Sequence, residues 1–158
     1  MIVFKCLLFS QLSLEELYEI MALRQEVFVV EQDCPYLDAD GKDKQAWHLL
    51  GYSQDQKLVA YTRLIDKGGS YKDYASIGRV VTSASVRKEG YGKLLMQESI
   101  RQTILLFNNP PIKISAQVYL DRFYRSLGFE PVGEGYLEDN IPHIAMIYRS
   151  QKASTQDM

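Results

Sequence analysis

A mixed α/β or α+β fold is predicted by three observations. Short apolar runs rich in β-branched residues recur along the chain, and stretches of helical spacing with recognisable starts and stops fall between them. No repeat, linker or low-complexity segment divides the 158 residues. A chain of that length fits one domain and buries about 68–70% of the surface its unfolded form exposes.

The elements follow in order. The opening run MIVFKCLLF reads as a buried strand, being far shorter than the ~20 residues a membrane-spanning helix needs. Ser13, with Glu16 three residues on, forms a capping box for a first helix, whose apolar positions Leu14, Leu17, Met21 and Phe28 fall near helical spacing. Residues 30–47, VEQDCPYLDADGKDKQAW, are acidic and carry Pro35 and Gly41, so a long loop of the kind that lines sites is expected. HLLGY and LVAYTRLI, joined by SQDQK, make an antiparallel hairpin, and a glycine-containing loop, DKGGSYKDY, follows. ASIGRVVT has the composition of a central strand, and Gly78 inside it predicts a bulge or a close approach. Leu94, Leu95, Ile100, Ile104 and Phe107 space a helix from Tyr91 to Phe107 that NNPP stops. IKISAQV is a further strand, LDRFYRSLGF a short helix closed by Gly128, and two last strands flank an Asp139-Asn140 turn. The polar residues 150–158 are expected to be a flexible tail behind a domain of residues 1–149.

Composition excludes several functions. With 46% hydrophobic and 24% charged residues the chain is neither disordered nor fibrous, and a net charge of −2 gives no global attraction to nucleic acid. Cys6 and Cys34 are too few for a disulfide scaffold or a four-ligand zinc site, and no secretory leader pattern opens the chain, so the cytoplasm is the expected compartment. DADGKD fails as a calcium loop because its twelfth position, counted from Asp38, is Leu49, and no metal is expected. Cys34, beside Pro35, reads as a plain thiol.

The segment VRKEGYGKLL poses the functional question. A P-loop would need serine or threonine after Gly92-Lys93, where Leu94 stands, and a dinucleotide fingerprint would need a third glycine where Leu95 stands. What remains is Arg87, Gly90 and Gly92 at a strand-to-helix junction. A helix start leaves N–H groups unpaired and carries about half a positive charge, so an anion is welcome there, and Arg87, Lys88 and Lys93 add fixed charge. The same letters also suit a simple solvated turn.

IGRVVTSASVRKEGYGKLLMQESI followed by ISAQVYLDRFYRSLGFEPVGE resembles the acetyl-CoA-binding half of the GNAT superfamily of N-acetyltransferases. LRQEVFVVEQDCPYLDADGKD, HLLGY with LVAYTRL, and YLEDNIPHIAM are similar to its ElaA-like branch, so the likeness covers nearly the whole chain. The resemblance implies a mixed, mainly antiparallel central sheet with splayed central strands and flanking helices, and acetyl-CoA as co-substrate in the opening. It places the pantetheine arm on the backbone of Val80, Val81 and Thr82, and the pyrophosphate on Arg87, Lys88, Glu89, Gly90, Tyr91, Gly92 and Lys93. It further implies direct transfer of acetyl to a primary amine through a tetrahedral intermediate. By the same resemblance Tyr124 is the candidate acid beside the sulfur, though it equally suits a packing tyrosine, and Glu31, Glu138 and His143 are candidates for the base; His143 equally suits a satisfied histidine at a strand start, and Glu31 an ion pair with Arg24 or a nearby lysine. Glu31 with Asp38, Asp40 and Asp43 suggests an acidic rim for a cationic amine. The chain departs from the branch at Val118 and Tyr119, where alanine and histidine are common. The acceptor stays open between small molecules and protein amino groups, a homodimer follows by analogy alone, and a non-catalytic acyl-CoA-binding regulatory module is the competing reading.

Overall fold

A computed structural model describes residues 1–150; the expectation for the tail beyond Ser150 lies outside the described residues. Seven strands form one sheet: β1 (Val3–Leu8), β2 (Trp47–Tyr52), β3 (Leu58–Ile65), β4 (Ala75–Thr82), β5 (Ile112–Gln117), β6 (Glu130–Glu138) and β7 (Ile141–Tyr148), in the order β1-β2-β3-β4-β5-β7-β6. Every neighbouring pair is antiparallel except β4 and β5. Those two run parallel and pair only at Ala75 with Ile112 and Ser76 with Lys113. Beyond that point they diverge, which is the splay that the resemblance implies.

Strand alternation sends side chains to two layers. Leu50, Tyr61 and Val81 pack under α1 (Leu14–Arg24) with Ile20, Leu23 and Val27. Their chain neighbours Leu49 and Ala60 pack with Leu95 of α2 (Tyr91–Leu106) on the other face, where Ile77, Ile112, Ile114 and Met146 also meet Met96 and Ile100. The short α3 (Asp121–Ser126) joins this second layer through Tyr124. Gly128 closes it at φ 103°, and a Cβ there would come within 3.0 Å of the Tyr148 ring, so only glycine suits the position.

The predicted capping box is present: Ser13 Oγ accepts from the Glu16 N–H at 3.0 Å, and Glu16 accepts from the Ser13 N–H at 2.9 Å. The apolar face predicted for this helix is displaced. Leu14 is 88% exposed, and the buried stripe is Ile20, Leu23, Arg24 and Val27. An arginine stands in a core stripe, so apolar spacing alone points to the wrong side. The helix also runs on past its predicted end as a π-helical segment, Gln25–Glu31, with Gln32 N–H bonded to Val27 O and Cys34 N–H to Val29 O. No glycine or proline interrupts the chain before Pro35, and the wider turns carry Phe28 and Glu31 to the edge of the sheet opening.

The bulge expected at Gly78 lies one residue later. Tyr61 pairs with Val81 and Arg63 with Gly78, so Thr62 stands opposite both Arg79 and Val80. The left-handed backbone angle falls on Arg79, at φ 50°.

Candidate active site

Where β4 and β5 part, a cleft of about 590 Å³ opens between the β4 segment from Ile77 to Thr82, β5, α3 and the end of the π-helical segment. Val80, Val81 and Thr82 line it. These residues lie beyond the last β4–β5 pair, so the main-chain groups they turn toward β5 are not used by the parallel ladder.

At the cleft mouth the chain passes through Lys88 at φ 75° and Gly90 at φ 80°, and Gly90 caps α2. No side chain caps this helix start and no acid stands in its first turn, so its free N–H groups are open to an anion without competition from their own helix. Of the hinge residues, Arg87 and Gly92 border the cleft, whereas Lys88, Glu89, Gly90 and Lys93 are exposed outside its lining and Tyr91 also lies outside it. Tyr91 accepts a hydrogen bond from the Met1 amine at 3.1 Å.

Tyr124 lies in the same cleft, 6% exposed, its ring edge-on to Phe123 and Phe129 at centroid distances of 5.2 and 5.9 Å. Burial first, and then the neighbouring Tyr119, push its phenol up to about 12. The group is therefore a neutral hydrogen-bond donor throughout the physiological range.

His143 sits in β7 and faces the cleft. Its Nδ1 lies 2.7 Å from the Ile141 carbonyl, which can only accept, so Nδ1 carries a proton. Nε2 is 3.6 Å from a Glu138 oxygen, and the Tyr136 ring stacks on the imidazole with a centroid separation of 6.2 Å. Ser115 Oγ joins this group, 2.5 Å from Tyr136 Oη and 3.2 Å from Glu138. Ser115 and Tyr136 were not among the residues the sequence pointed to. The available signal was the alternation in IKISAQ, where Ile112, Ile114 and Ala116 are buried and Lys113, Ser115 and Gln117 form an opposite polar face.

Glu31 reaches across the mouth and forms an ion pair with Arg87, which also donates to Thr82 O at 3.1 Å. Its partner is thus Arg87 and not Arg24. The proposed acidic rim does not exist as an acidic surface, because arginines neutralise the aspartates. Arg24, fully buried, binds Asp38 at 2.7 Å and Asp43 at 2.6 Å. Arg63 binds Asp40 at 2.8 Å and Asp43 at 3.0 Å, and Arg79 binds Asp38 at 2.8 Å and Asp40 at 3.3 Å. His48 closes the cluster from below, 2.6 Å from Tyr61 Oη and 2.9 Å from Asp43 O.

This cluster makes stability sensitive to acid. Burial alone would raise the Asp40 and Asp43 carboxyls, but the arginine hydrogen bonds and charges outweigh it and hold both below the usual range. Burial likewise holds the His48 imidazole below its ordinary 6.5. Depressed folded-state values mean that the unfolded chain takes up protons first. The contribution of His48 is complete above its ordinary value and declines as the pH falls below it; that of the aspartates declines below about pH 4. Denaturant midpoints measured from pH 8 to pH 3 should therefore fall in two stages, and a flat profile to pH 4 would contradict the first.

Residues 10–150 match the family described as the acetyltransferase (GNAT) domain. Protein ElaA of Escherichia coli is 43% identical over 139 residues, 87% of this chain and 90% of its own, and a UPF0039 protein of Synechocystis is 48% identical over 141 residues, 89% and 91% of the two chains. The crystal structure of Escherichia coli ElaA superposes with a TM-score of 0.87 at 41% identity, covering 94% of this chain and 100% of that one. An acyl-CoA N-acyltransferase from Pseudomonas aeruginosa gives 0.86 at 40% identity, covering 92% and 99%. A mixed sheet opened between its parallel strands, shared with an acyl-CoA N-acyltransferase, points to the acyltransferase class. The chain belongs to the GNAT acetyltransferase family, whose members generally take an acetyl or acyl group from coenzyme A.

Proposed function

We propose that the protein is an N-acetyltransferase, acting through residues 1–149 as one domain, that moves the acetyl group of acetyl-CoA directly to a primary amine. The observation that carries this reading is the meeting, in one cleft, of an unpaired strand edge, an uncapped helix start flanked by Arg87, and the buried phenol of Tyr124. The edge at Val80, Val81 and Thr82 suits an amide-bearing arm, and the helix start suits a diphosphate. The neutral amine attacks the thioester carbonyl carbon, a C–N bond forms, and the tetrahedral oxyanion collapses with loss of the C–S bond.

His143 is the group best disposed to take the amine proton, because Nδ1 donates to the Ile141 carbonyl, which leaves Nε2 as the accepting nitrogen of a neutral ring, and Glu138 stands ready to balance the charge it acquires. Glu31, held by Arg87, is less available for that work. Tyr124, at about 12, cannot give its proton outright to a thiolate whose conjugate acid is near ~8.5; it donates a hydrogen bond to the departing sulfur, which is then protonated from solvent.

Incubation with acetyl-CoA and a panel of amines tests the reading. Free thiol should appear only with particular amines; tight binding with no release under any amine would instead indicate a non-catalytic acyl-CoA-binding module. Arg87→Glu should weaken acetyl-CoA binding in calorimetry by about 10- to 100-fold, the loss of one charge-assisted bond of ~1.5–3 kcal/mol. Unchanged affinity would remove Arg87 from the phosphate site.

A further inference from the structure

The β4 bulge carries its left-handed backbone angle on Arg79, although a glycine stands immediately before it. For a residue with a long side chain that conformation is uncommon and costs free energy, which can be offset where the surroundings hold the side chain. Here the surroundings do so. The Arg79 guanidinium is ion-paired with Asp38 at 2.8 Å and Asp40 at 3.3 Å, donates to the Asp38 carbonyl at 2.9 Å, and lies over the Tyr36 ring at 5.8 Å. Each partner belongs to the loop before β2, and Arg24 and Arg63 fix that loop to α1 and β3. Gly78, Arg79 and Val80 line the cleft where β4 leaves the parallel ladder. The bulge therefore sets which way the main chain of these residues faces inside the cleft.

We infer that Arg79 is a positioning residue: its ion pairs with Asp38 and Asp40 hold the β4 bulge in its left-handed geometry and so aim the cleft-lining main chain at the reacting carbonyl. The inference rests on the proposed acyl transfer. It gives the arginine–aspartate cluster a role in the reaction besides stability, exerted on backbone geometry.

The substitutions Arg79→Ala and Arg79→Gly separate this role from a purely structural one. Both remove the same ion pairs, but glycine adopts the left-handed angle without strain and alanine does not. Arg79→Ala should lower kcat at saturating acetyl-CoA about tenfold, whereas Arg79→Gly should stay within about threefold of the parent, even though its Tm is as low or lower. Equal kcat values for the two variants, or kcat falling in the order of Tm, would overturn the inference. Backbone chemical shifts of residues 78–81 give a readout that needs no turnover. They should keep their parental pattern in Arg79→Gly and move in Arg79→Ala; the same pattern in all three proteins would show that the ion pairs do not hold the bulge. If the parent protein releases no thiol with any amine, the acyl-transfer reading fails, while the shifts still decide whether Arg79 sets the bulge.

Discussion

Arg24→Ala should destabilise the protein by about 3–5 kcal/mol, the range for breaking a buried ion pair by removing one partner. The Arg24 side chain is fully buried on α1, binds Asp38 through Nε and Asp43 through Nη1, donates to the Asp38 carbonyl at 3.0 Å, and lies over the Tyr61 ring at 5.8 Å. Its loss leaves two nearly buried carboxylates sharing the remaining arginines, and burial penalises each charge that is not fully matched. Total stability is about 5–15 kcal/mol for a domain of this kind, so the variant stands close to the unfolding threshold. Urea denaturation read by circular dichroism measures the loss. A change below about 1 kcal/mol would mean that the cluster behaves as exposed pairs do.

Tyr124→Phe should lower kcat about 100-fold while leaving the KM for acetyl-CoA nearly unchanged, the signature of an interaction made mainly in the transition state. The phenylalanine keeps the edge-on contacts with Phe123 and Phe129 that hold the ring, so the fold is preserved. Only the hydroxyl is removed. Because burial and Tyr119 push that hydroxyl up to about 12, the parent protein should show no alkaline loss of kcat from this group up to about pH 10. Thiol release across a pH series measures both effects, and a kcat within threefold of the parent would end the role of Tyr124.

Those elements were legible whose signals are local. Ser13 and Glu16 announce α1, NNPP ends the second long helix, and the alternating strands assemble into the mainly antiparallel sheet. What escaped depends on partners distant in the chain. Arg24, Arg63 and Arg79 look like surface charge in the sequence, and only folding shows that the aspartates of residues 30–47 meet them. For the same reason the supposed acidic rim dissolved into internal ion pairs. Ser99 and Thr103, both fully buried in α2, hid as ordinary polar letters: their hydroxyls bond back to Leu95 O and Ser99 O at 2.7 Å each, and Ser99 also meets Thr62 at 2.7 Å. Val80, Val81, Thr82, Arg87 and Gly92, which line the cleft, were singled out by the family resemblance, since the glycine-punctuated junction alone suits a solvated turn equally well. Ser115 and Tyr136 were not, since nothing links strands β5 and β6 before they fold.

The separation of β4 from β5 has a further consequence. Most proteins hide an open strand border by charging it, shortening it or covering it, because another chain can stitch onto it and seed aggregation. Here the open border lies in the middle of the sheet, roofed by helices and flanked by Tyr124 and Arg87. A vulnerable seam is thereby turned inward, guarded from neighbouring molecules yet left available to a slender visitor.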